Sequence, residues 1–243
     1  WSRKELPGWP SLIDIVACPN GQFAALATEG QVLVSADDGQ TWKANQIQTE
    51  ESPQGITCDP QNRLWVVGSF STIIVSGDGG QNWEDHSIGD DTILTTIQFI
   101  DAEHAMIFGE YGFSVYTADG GQTWTPGTPL PDEFYPQDAW FRDLQTGWVA
   151  GLAGQILHTA DGGQTWALQN TGTLAPIYSL AGIGNDVYAA GGEGTLLKLE
   201  GDGWRRVDHG QPVRLFLRVV HAAGADRVLI GGAAGALHAV PRS

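Results

Sequence analysis

Positive charge is scarce in this sequence: 12 Lys and Arg stand against 28 Asp and Glu, a formal net charge of −16 at pH 7. A cationic surface for nucleic acid or anionic lipid is thereby excluded. Charged residues of either sign are also few, at 16% against the roughly 25% of ordinary soluble domains, so Lys- and Glu-covered surface helices are lacking. No run of 18 apolar residues occurs, which excludes a membrane-spanning helix and direct membrane insertion. Methionine appears once, at Met106, and the sequence begins on Trp1 with no cationic, apolar leader before it. The expectation is that a leader has been removed or that the sequence starts late. Cysteine appears twice, at Cys18 and Cys58, without the spacing of a zinc site; the two either pair or stay as small buried residues.

What is abundant is glycine, tryptophan and repetition. The 33 Gly are about twice the usual share, there are ten Trp, and 42% of residues are hydrophobic, ample for a folded core. Four boxes recur: SADDGQTW (35–42), SGDGGQNW (76–83), TADGGQTW (117–124) and TADGGQTW (159–166), their Trp residues spaced by 41, 41 and 42. The phase extends back to Trp1 and forward to Trp204 in a shortened copy, LEGDGW (199–204). A second marker keeps the same period. Gly30, Ser71, Gly112, Gly154, Gly194 and Gly235 each follow by three residues Ala27, Gly68, Gly109, Gly151, Gly191 and Gly232, a G-x-x-G signal between two apolar runs that marks a tight hairpin.

Each unit therefore reads as four short strands, and four strands at a period of about 41 residues make a propeller blade. Blades bury both faces, which explains unbroken apolar runs such as LWVV (64–67). The expected fold is an all-β, six-bladed propeller of four-stranded antiparallel blades, one domain over residues 1–243. Residues 1 to 6 would complete the last blade and remove the exposed edges. A seven-bladed, truncated form is the alternative.

In the box, Asp37, Asp78, Asp119 and Asp161 can accept backbone N–H groups of their own turn, while Trp42, Trp83, Trp124 and Trp166 bury area against the next blade. Each box offers too few oxygens for calcium, so no metal or other cofactor is expected. By propeller analogy the G-x-x-G hairpins and blade connections share one face. That face carries Glu29, Phe70, Glu110, Tyr111, Leu152 and Glu193 at hairpin tips and Phe134 and Tyr135 in a connection. Carboxylates interspersed with aromatics suit a basic peptide segment. In the first strands, Asp14, Gly55, Thr96, Asp138, Ser179 and Val219 form a small polar column suited to a channel lining, with Asp14 and Asp138 three blades apart as a water or cation site.

The four boxes, together with GWVAGLAGQILHTADGGQTW (147–166), closely resemble the BNR/Asp-box propellers of the photosynthesis system II assembly and stability factor family. The resemblance implies a non-enzymatic interaction scaffold that docks on a membrane protein complex during assembly. It also implies an exported, for example periplasmic, location. Asp boxes occur in sialidases too, and the alternative is a sialidase-like glycoside hydrolase or a carbohydrate-binding propeller. The arginine cluster such an enzyme needs is represented only by Arg142 in WFRD (140–143), and no catalytic residue is assigned.

Overall fold

Glycine-bounded apolar runs fold into 23 strands in the computed structural model, which describes residues 6–8, 10–131, 134–210, 216–223, 226–233 and 236–242. The chain forms two compact units, Trp1–Gly127 and Thr128–Ser243. The first holds three antiparallel sheets of four strands: β1 (Leu12–Ala17) to β4 (Lys43–Gln46), β5 (Pro53–Cys58) to β8 (Glu84–Asp85), and β9 (Leu94–Phe99) to β12 (Thr125–Pro126), each in sequential order. The second holds β13 (Pro136–Phe141) to β16 (Ala167–Gln169), β17 (Ile177–Ile183) to β20 (Gly203–Arg206), and a sheet of β21 (Leu217–Ala223), β22 (Arg227–Gly232) and β23 (Ala236–Pro241). These are the six blades of a β-propeller. The last has three strands among the described residues; the expected closing strand at residues 1–6 lies outside them except for Leu6, and Gly235 lies outside as well.

Burial follows strand position. The second strands β6 (Leu64–Gly68), β10 (Ala105–Gly109) and β14 (Gly147–Gly151) are buried at every residue, whereas the outermost strands β8 and β12 are two exposed residues each. Facing blades share apolar clusters. Ala24, Leu26 and Val32 of blade 1 pack with Ile56, Leu64 and Val66 of blade 2, and Trp148 and Ile156 of blade 4 pack with Ile177, Val187 and Leu197 of blade 5.

One device recurs that the sequence shows only as a column of small polar residues. The pairing of the first strand with the second slips between Leu12 and Asp14, Pro53 and Gly55, Pro136 and Asp138, and Ile177 and Ser179. A bulge re-aims the side chain that follows it. Asp14 then accepts the N–H of Ile56 through Oδ2 at 3.1 Å, Asp138 accepts that of Leu180 at 2.8 Å, and Ser179 Oγ accepts that of Val220 at 3.2 Å. Each bond reaches the first strand of the following blade. Three members of the column, Asp14, Asp138 and Ser179, thus staple one blade to the next.

Candidate docking face

The hairpin turns fix the face. In blades 2 to 5 the turn closes by an N–H to carbonyl bond across four residues, Thr72 to Ser69, Phe113 to Glu110, Gln155 to Leu152 and Thr195 to Gly192. The central pairs, Phe70–Ser71, Tyr111–Gly112, Ala153–Gly154 and Glu193–Gly194, all have positive φ, the type I′ geometry that matches strand twist. Glycine fits the second of these positions in three blades, but the first is occupied by Phe70 at φ 50° and Tyr111 at φ 56°. Bulky residues rarely adopt that conformation, which costs about 1–2 kcal/mol each. Both side chains are also exposed, Phe70 by 58% and Tyr111 by 71%. Their strain is not offset by burial, which sets these two positions apart from the buried aromatics of the blades.

Hydrogen bonds weld these hairpins to the blade connections. Ser69 N–H donates to Ser52 O, and Ser52 N–H to Ser69 Oγ, whose own hydroxyl donates to Glu51. Ser71 N–H donates to Thr92 O in the following connection, and Glu110 takes the N–H of Ile93 on its carboxylate while giving its own N–H to Ile93 O. The result in the first unit is one continuous surface through residues 51–52, 69–71, 92–93 and 110. It carries Glu29, Glu50, Glu51, Asp90, Asp91 and Glu110, with no basic side chain: of the described cations in this unit, Lys43 pairs with Val34 at the opposite end of its sheet and Arg63 follows the β5–β6 turn, also at that end. In the second unit Leu152 and Glu193 are exposed, Leu174 is 85% exposed, and Arg206 reaches Glu193 O. Tyr135 is half-buried. Phe134 is a correction: it is 3% exposed because its ring covers Gly151, where a Cβ would come within 2.6 Å of it, so this side chain supports the surface without presenting itself.

A groove opens from the same surface on the side of blade 2. It holds about 460 Å³, with Ile47, Ile74 and Trp83 as apolar lining, Phe70 at its wall and Glu51 and Asp85 as its charges.

The opposite end is occupied by local hydrogen bonding. In each box the Asp accepts the N–H and the hydroxyl of the Thr four residues on, at 2.8 and 2.6 Å for Asp37 with Thr41. Asn82 takes that place for Asp78, Thr123 for Asp119 and Thr165 for Asp161. These donors hold all four carboxyls at a pKa of about 2, below the ordinary 3.8. A depressed carboxyl pKa adds stability that is complete above the unfolded value and lost as pH falls through the folded one. The melting temperature should therefore hold from pH 7 to about pH 4 and fall between pH 4 and 2; a level profile down to pH 2 would contradict this. Asp119→Ala should lower the melting temperature at pH 7 while leaving ligand binding intact, which differential scanning calorimetry beside a binding titration checks. The box Trp needs one correction. Trp83 packs on the cluster shared with blade 1 and Trp124 stands edge-on to Trp65 of blade 2 with centroids 6.2 Å apart, so these two rings face the preceding blade, whereas Trp166 stands edge-on to Phe141 of its own blade.

One further feature escaped the sequence, and one of its open alternatives is resolved. Buried Asp59 accepts the N–H groups of Gln61 and Arg63, Arg63 Nε at 2.6 Å and Trp65 Nε1 at 2.9 Å, while Arg63 Nη2 reaches Gly120 O in blade 3. Cys18 and Cys58 form a disulfide joining the end of β1 to the end of β5, with Cα atoms 5.3 Å apart. Their separation of 40 residues, one short of the blade period, was the available signal.

Fold and surface together define a class: a six-bladed β-propeller whose unusual side chains stand on hairpin tips. The sequence matches the family described as "Photosynthesis system II assembly factor YCF48" over residues 52–115 and 83–178, together more than half of its length, and the chain belongs to that family. Similar solved structures include YCF48 from Cyanidioschyzon merolae, at 16% identity and TM-score 0.70 over 99% of this chain and 98% of that one. A YCF48 bound to D1 peptide matches at 18% identity and TM-score 0.59 over 79% of this chain and 68% of that one. Virginiamycin B lyase from Staphylococcus aureus matches at 12% identity and TM-score 0.77 over 96% and 80% of the two chains, a likeness of fold alone. Comparison with curated proteins by sequence gives no match.

Proposed function

We propose that this chain is a non-enzymatic docking scaffold that holds a peptide segment of a membrane protein complex on the hairpin face of blades 1 to 3, outside the cytoplasm. The observation that carries the reading is the pair of exposed aromatic residues, Phe70 and Tyr111, held at positive φ on adjacent blades of a surface without Lys or Arg among the described residues. An exposed aromatic on a rigid turn is the anchor a protein interface uses, and the carboxylates around it favour a partner segment carrying Lys or Arg. Family membership supports an assembly role, and the peptide-bound YCF48 supports a peptide as the thing held. The disulfide supports export, since such bonds persist in oxidising compartments. Arg142, which a glycosidase would need for substrate, instead lies 5.1 Å over the Trp148 ring and reaches Asn185 O. Asp14 and Asp138 are engaged on backbone N–H groups.

The test is a fluorescence-anisotropy titration with the D1 peptide and with an arginine-containing peptide of the same length. Phe70→Asn with Tyr111→Asn keeps residues that tolerate positive φ, so the melting temperature should hold or rise while affinity falls at least about tenfold, the loss of one good anchor. Equal affinity for wild type and variant, or no binding of either peptide to wild type, would overturn the proposal.

A further inference from the structure

The groove beside Phe70 brings aliphatic, aromatic and acidic side chains together. Its floor is apolar, with Ile47 at 2% and Ile74 at 7% exposure, and the Trp83 indole is pinned by its Nε1–H to Gly80 O at 3.2 Å. Phe70 stands at its wall on a backbone that favours glycine. Among the described residues its charged lining is Glu51 and Asp85, with no Lys or Arg. Both carboxylates are positioned: Glu51 accepts the Ser69 hydroxyl, and Asp85 accepts the N–H of Ser87. Hydrogen bonds from the Ser87 hydroxyl and N–H hold the Asp85 carboxyl below its ordinary range, so it is ionised at neutral pH.

A groove with an apolar floor, two aromatic rings and two carboxylates within a mostly polar lining suits one kind of side chain, a long aliphatic stem ending in a planar cation. The guanidinium of arginine is weakly hydrated, stacks on aromatic rings and pairs with carboxylates through a fixed set of donors. At about 460 Å³ the groove lies within the size range of small-ligand sites and has room for such a group with water around it. We infer that this groove is the arginine subsite of the docking face, taking the side chain of one arginine in the bound segment between Phe70 and Trp83, with its guanidinium on Glu51 and Asp85. The inference rests on the docking reading above and adds the chemistry of the anchor residue.

The probes are N-acetyl-arginine amide and its uncharged isostere N-acetyl-citrulline amide, titrated against the full chain with 13C-labelled isoleucine methyls and the Trp indoles followed by NMR. The arginine amide should shift the Ile47 and Ile74 methyls and the Trp83 indole saturably, with at least about tenfold higher affinity than the citrulline amide. The Glu51→Gln, Asp85→Asn double variant, which removes charge at nearly constant shape, should abolish that preference. Phe70→Gly, which suits the positive φ, should weaken binding without loss of stability. Equal affinities of the two amides for wild type, or shifts confined to other residues, would overturn the subsite. If that happened while peptide binding still depended on Phe70 and Tyr111, the docking reading would stand; loss of both dependences would sink both.

Discussion

Removing the Cys18–Cys58 bond, by reductant or by Cys18→Ser with Cys58→Ser, should lower the stability of the chain by about 4 kcal/mol. The magnitude comes from loop closure. The bond encloses a segment with a sequence separation of 40, and the freedom that the unfolded chain regains on opening it scales with the logarithm of that length. The bond ties blade 1 to blade 2 beside a shared cluster that includes both cysteines, so serine also places hydroxyls where Cys18 is only 5% exposed. Urea unfolding with and without reductant should show this drop for the reduced wild type and one at least as large for the double variant. Identical midpoints in oxidised and reduced protein would contradict it. The consequence reaches function, because a scaffold that needs this bond needs an oxidising compartment to keep it.

Asp59→Ala should cost several kcal/mol, at roughly 1–3 kcal/mol for each buried donor left without its acceptor. The carboxylate is fully buried and accepts from two backbone N–H groups, the Arg63 guanidinium and the Trp65 indole. Deleting it leaves each of these donors without that acceptor beside the completely buried Trp65 ring, which also packs on Phe99 and Trp124 of blade 3. Asp59→Asn should remain costly, since one of its two positions would turn an amide donor toward donors. Arg63→Ala should cost less, because a third of that side chain is exposed and its charge is screened by water. Chemical denaturation of the three variants gives the order; Asp59→Ala within 1 kcal/mol of wild type would remove the buried acceptor from the account.

The blades and hairpins were legible because each rests on local chemistry repeated in phase. A box Asp bonds within its own turn, and a type I′ hairpin needs its positive φ within two residues, so both print a pattern at short range. What spans blades does not. Asp14 and Asp138 look like channel polar residues until a bulge is seen to aim them at the next strand, and Asp59 gives no sign in sequence that it meets Trp65 and, through Arg63, blade 3. Phe134 reads as an exposed aromatic in a loop because its burial depends on the space left over Gly151, 17 residues on. The acidity also divides differently than composition suggests. Asp59, Asp101 and Asp143 cap the turns between first and second strands at the end away from the hairpins, each accepting backbone N–H groups two to four residues on. On the hairpin side of the first unit, Glu51 and Glu110 bond to the segments that carry Phe70 and Tyr111.

Whether that side of blades 1 to 3 is the docking surface is read most directly by amide hydrogen exchange on the chain saturated with an arginine-containing peptide. Docking there slows exchange in residues 47–52, 69–72, 90–93 and 110–113 and leaves the opposite turns at 18–22, 59–63 and 101–104 unchanged. Slowing confined to those opposite turns, or absent from the hairpin segments, would contradict the account.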